Sequence, residues 1–135
     1  MPDIESGHIS LDDLIGHANT PIRTALSKAK ALKMCGEISK ALDFLVDISN
    51  RYPEEKVVFI LLGDLYWQQN DLEHARASFQ KATELDPRLE IASLALYHTS
   101  WSSGLREAAL EEMKRFILIS HSSEYDRILQ AFRGA

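Results

Sequence analysis

Apolar residues recur at helical spacing through the middle of the chain. Phe59, Leu62 and Tyr66 stand at i, i+3 and i+7, and Leu72, Ala75, Phe79 and Ala82 again share one helical face. Between the two stripes lies Asn70, a residue that tolerates the left-handed backbone with which helices end. The segment therefore reads as helix, tight turn, helix.

The same punctuation returns at a fixed step. Pro53 and Pro87 are 34 residues apart, and Gly36, Asn70 and Gly104 fall in that register. So do Ala41, Ala75 and Ala109, then Leu45, Phe79 and Met113, then Ile48, Ala82 and Phe116. Such periodicity marks a solenoid, in which each helix pair buries its apolar face against its neighbours. Asp86-Pro87 and Thr20-Pro21 read as N-caps followed by Pro at the first helical position, where its missing N–H costs nothing.

The ends read as caps. Ser123 is placed to cap a last helix with the stripe Tyr125, Ile128, Leu129 and Phe132, leaving Arg127 and Arg133 outside. At the front, Ser10 with Asp13 forms a capping-box pair ahead of Leu11, Leu14, Ile15 and Ala18. Residues 1–8 read as disordered.

The stretch KVVFILLGDLYWQQNDLEHARASFQKATELDP resembles the tetratricopeptide-repeat (TPR) consensus. Phe59 stands in the place of its first-helix Trp, followed by Leu62-Gly63, Tyr66, Ala75, Phe79, Ala82 and Pro87. In the flanking units Ala25, Ala29, Leu32, Ala41, Leu45 and Pro53, and then Leu96, Gly104, Ala109 and Met113, fit the pattern. Tyr97 departs from it where the family has a small residue, Lys28 where it has Leu, and His121 where it has Pro. The resemblance implies an all-α solenoid of about three repeats with terminal capping helices. Its segments are an acidic leader with a short helix (1–20), TPR units at about 22–55, 56–89 and 90–121 within 21–121, and a capping helix at 122–135.

In that family the first helix of each pair lines a concave groove. Carried over by position, the groove receives Arg23, Leu26, Lys30 and Lys33, with Met34 beside them. The second unit supplies Val57, Ile60, Asp64, Trp67 and Gln68, and the third Ile91, Leu94, His98, Trp101 and Ser102. Trp67 and Trp101 are 34 residues apart, so stacking is expected to set them side by side as an aromatic patch of the kind that dominates binding energy. The carboxylate clamp of chaperone-binding relatives is missing: Leu26, Ile60 and Leu94 replace its Lys, and Lys30, Asp64 and His98 its Asn.

Composition narrows the function. A net charge of -5 argues against a nucleic-acid partner, whose phosphates call for a basic face. Charge is uneven, however. Residues 1–21 hold Asp3, Glu5, Asp12 and Asp13 with no Lys or Arg. Residues 22–53 hold Arg23, Lys28, Lys30, Lys33, Lys40 and Arg51 against Glu37, Asp43 and Asp47. One reading lays the acidic leader against that basic lip, in its own groove. No apolar run reaches the roughly 20 residues of a membrane helix, no secretory leader is evident, and Cys35 is the only cysteine, so a cytoplasmic location is expected.

Catalytic signals are missing. His8, His17, His74, His98 and His121 show no metal-ligand spacing, Cys35 has no evident base nearby, and Glu111-Glu112 reads as a solvated helix face. No cofactor, metal or enzymatic activity is expected. The reading is a bacterial-type module binding a protein or peptide in the concave groove, such as a secretion chaperone or adaptor. The alternatives are an immunity protein occluding a toxin domain, loosely suggested by LYHTSWSSGLREAALEEMKRFILISHSSEYDRIL, and a self-assembling homo-oligomeric scaffold.

Overall fold

The computed structural model describes residues 10–17 and 20–134; the expectation for residues 1–8 lies outside them. The elements are α1 (Leu11–His17), α2 (Thr20–Met34), α3 (Ile38–Arg51), α4 (Lys56–Gln68), α5 (Leu72–Leu85), α6 (Glu90–Ser102), α7 (Arg106–Ile117) and α8 (Ser123–Gly134). The described residues contain no strand. Helices α2–α7 form three antiparallel pairs, each packed on the next through α3 with α4 and α5 with α6. The fold is the all-α TPR-type solenoid.

The repeating columns are what hold it together. Ala41, Ala75 and Ala109 are fully buried, and Leu45, Phe79 and Met113 in the next column and Ile48, Ala82 and Phe116 in the third are buried. A small residue at the helix crossing admits a large one beside it. The middle pair takes this furthest, because a Cβ on Gly63 would stand 2.6 Å from the Phe79 ring. The first pair uses Ala29 with Leu45, both buried. In the third, Tyr97 takes the small position and flexible Met113 the large one, with Tyr125 of α8 meeting the Tyr97 ring edge-on at 5.7 Å.

Turns follow the sequence closely. Gly36, Asn70 and Gly104 have φ of 81°, 60° and 82°, each ending the first helix of its pair in the left-handed region. Backbone bonds from Glu37, Asp71 and Leu105 N–H back to Leu32, Tyr66 and Ser100 carbonyls complete the same turn three times. Asp71 caps α5 by accepting from His74 N–H, and its carboxyl is held below the usual range by the side-chain and backbone bonds from His74.

Three caps differ from expectation, the first because α2 begins at Thr20 itself, one residue before Pro21. The third pair opens at Glu90 rather than Pro87. Asp86 instead accepts from Lys56 Nζ at 2.6 Å and from Arg88 N–H, so a further turn separates Pro87 from the helix. The cap of α8 is Ser122, whose buried Oγ accepts from Tyr125 N–H, one residue before Ser123. At the front the capping box is present, with Asp13 N–H donating to Ser10 Oγ and Ser10 N–H to Asp13 Oδ2.

Candidate partner-binding wall

Helices α2, α4 and α6 contribute equivalent rows to one wall, and the rows differ in burial. Arg23 is exposed where Val57 is buried and Ile91 half-buried. In the next row Leu26 is 0% and Ile60 3% exposed, whereas Leu94 is half-buried. Helix α1 packs against α2 and α4 and carries Leu14 and Ile15 into the same core as Leu26 and Ile60. Burying each of two such side chains contributes about 1.5–3 kcal/mol. The expectation that Leu26 and Ile60 face a partner is therefore corrected: both are enclosed in that core.

Beyond α1 the wall opens and becomes polar. Lys33 Nζ donates to Asp64 Oδ2 at 2.5 Å, tying α2 to α4, and Gln68 Nε2 donates to the same oxygen at 3.2 Å. Lys30 is half-buried beside them. One turn on, Trp67 is 39% exposed. It borders a cavity of about 190 Å³ formed with Asp64, Phe79, Ala95, His98 and Thr99. The exposed His98 imidazole meets the Tyr97 ring edge-on at 5.2 Å. A carboxylate, an imidazole and an indole thus surround one recess, and Met34 at the end of α2 is exposed.

Trp101 does not extend this recess. Its ring stacks on Tyr97 at 6.0 Å and lies 5.7 Å from Phe132 of α8, with the Arg106 guanidinium 5.0 Å from its centre. The expected side-by-side indole pair is accordingly not formed; each indole has its own neighbours. Leu94 packs into the same C-terminal cluster as Trp101, alongside Ile128 and Leu129.

Glu112 overturns its reading as solvated. It is 8% exposed, accepts from Ser93 Oγ at 2.6 Å, and is paired with Arg115 through Nε at 2.8 Å and Nη2 at 2.6 Å. Arg115 Nη1 continues to the Pro87 carbonyl at 3.0 Å, and Tyr125 Oη lies 2.8 Å from Ser93 Oγ. The hydrogen bond to Glu112 raises the Arg115 pKa, and burial raises that of Tyr125. Glu111 is exposed as expected. The signal lay in the repeat: Glu112 occupies the column of Phe44 and Ser78, which faces inward.

Among the described residues no three His, Cys, Asp or Glu side chains are grouped to hold a metal ion. No described helix is long and apolar enough to cross a membrane. Paired helices at a 34-residue step, with an accessible indole on the first-helix wall, define a helical-repeat protein of the TPR type. Residues 58–89 match the family model described as Tetratricopeptide repeat. No curated protein matches the chain. TPR repeats are typically non-catalytic protein–protein interaction modules, and the middle pair places this chain among proteins that carry one.

Proposed function

We propose that the chain binds a protein partner on the open part of the first-helix wall, from the Lys33–Asp64 pair to Trp67 and His98. One observation carries this reading: Trp67 stays 39% exposed beside a recess while Val57 and Ile60 on the same helix face are buried. Exposing an indole on a helix whose other inward residues are covered costs hydration free energy that a partner recovers. Asp64 and His98 add polar anchors that fix register. The role is that of an adaptor or client-holding protein, with no chemistry of its own and in the cytoplasm. A photo-crosslinking amino acid at Trp67, compared with one at exposed Lys81 on α5, tests the reading. A protein adduct at position 67 alone is the expected result, and an adduct at position 81 alone contradicts it.

A second reading, self-assembly, is favoured by a separate patch. Leu110, Ile117, Leu118 and Ile119 are all exposed, Leu118 at 79%. Leu110 and Ile117 also line a recess of about 480 Å³ between α7 and α8, together with Met113 and Leu129. Light scattering over a concentration series discriminates the two: a dimer lost in Leu118→Ser marks a scaffold, and a monomer throughout excludes it.

A further inference from the structure

Helix α1 packs on the first-helix wall, against α2 and α4. Three observations characterise this contact. First, equivalent positions on successive helices differ in burial: Leu26 and Ile60, on the helices that α1 packs against, are buried, and Leu94 is not. Second, α1 has only seven residues, a length at which an isolated helix does not hold in water. Its capping box and the seating of Leu11, Leu14 and Ile15 against α2 and α4 therefore stabilise it. Third, residues 1–21 hold four acidic residues and no Lys or Arg, while α2 presents exposed Arg23. Short, apolar at i, i+3 and i+4, and opposite in charge to the adjoining lip, α1 has the form of a bound ligand helix.

We infer that this surface docks an amphipathic helix of a partner protein, with apolar residues at i, i+3 and i+4 and acidic residues between them, and that the partner enters by displacing α1. The inference deepens the reading above, because the covered surface runs directly into the open one: Ile60 under α1 is followed one turn later by Asp64 at the recess. A partner helix seated there would reach Trp67 without a break. Until it arrives, α1 keeps Leu26 and Ile60 from water and sets a threshold that weak competitors do not cross.

The test uses the chain's own segment as probe. A fluorescein-labelled peptide of residues 8–18, HISLDDLIGHA, is titrated by anisotropy into the full-length native protein and into the full-length variant Leu14→Asp/Ile15→Asp. The variant releases its resident helix, so it is expected to bind the peptide at least tenfold more tightly than the native protein does. A peptide carrying the same two changes is expected not to bind either protein. Equal affinity of the two proteins, or no binding by a variant whose circular dichroism remains native, overturns the proposal. Amide exchange on the native chain provides the second measurement, independent of any variant. Amides of α1 are expected to exchange at least a hundredfold faster than those of α4, and equal protection overturns displacement. Lys81→Ala, at an exposed position on α5, is expected to leave peptide affinity unchanged, and crosslinking from position 67 is scored separately, so failure of the Trp67 site and failure of the α1 site give different results.

Discussion

The ring of Phe79 fills the space that a methyl group on Gly63 would need, with 2.6 Å between that Cβ and the ring. The two residues lie on α4 and α5, the helices of the middle pair, and their contact sets how closely those helices approach. Phe79 is buried, as are Ala75 and Ala82 on the same face of α5.

Gly63→Ala is therefore destabilising although alanine is the better helix former. Overpacking costs about 1–3 kcal/mol, and helix propensity returns only about 1 kcal/mol of it. Adding Phe79→Leu restores most of the loss, because Ala29 opposite Leu45 is how the first pair solves the same crossing. Urea midpoints of the two single variants and the double variant form the cycle. A single Gly63→Ala chain as stable as the native one contradicts the packing account.

Arg115→Ala removes the cation from buried Glu112 while leaving the carboxylate in place. Breaking a buried pair costs about 3–5 kcal/mol when both groups are enclosed. Arg115 keeps a third of its side chain in water, so a loss of about 2–3 kcal/mol is expected here. Glu112→Gln in the Arg115→Ala background is expected to recover part of it, by removing the stranded charge. Urea unfolding at neutral pH measures both.

Burial holds the Tyr125 phenol well above its ordinary value of 10.0, with the Ser93 hydrogen bond working the other way, and desolvation raises Tyr97 as well. The folded chain therefore favours the protonated phenols. Their contribution is fully present below pH 10 and is lost as the pH climbs toward the raised folded value, because the unfolded chain ionises first. Stability is expected to fall steeply above about pH 10, and less steeply in Tyr125→Phe. Equal slopes for the two proteins contradict the assignment.

Gly104→Ala places a Cβ in a left-handed turn at φ 82°, for a cost of about 1–2 kcal/mol. Asn70→Gly at φ 60° is expected to be neutral within about 0.5 kcal/mol, since glycine suits that backbone but is freer when unfolded. Thermal melts of the two variants check the contrast.

Much of the architecture could be read from the chain because it is local and repeated. Columns such as Ala41, Ala75 and Ala109 state helix, spacing and burial three times over, and the positive-φ turns at Gly36, Asn70 and Gly104 punctuate them. The wall was less legible for two physical reasons. A family position says which way Leu26 or Ile60 points but not what lies on top of it, and α1 arrives from outside the repeat. Likewise Trp67 and Trp101 occupy equivalent positions, yet α8 follows only the third pair, so Phe132 meets one indole and leaves the other open. Glu112 was misread because its acidity outweighed the inward column in which it falls.

The most direct test is a titration of the captured partner, by calorimetry, into the native chain, Trp67→Ala and the distant α5 variant Lys81→Ala. Truncating an exposed indole at the centre of an interface is expected to weaken binding at least about tenfold, with Lys81→Ala unchanged and all three chains melting alike. Native affinity in Trp67→Ala, together with loss of binding in Lys81→Ala, would place the partner on the opposite face and contradict the account.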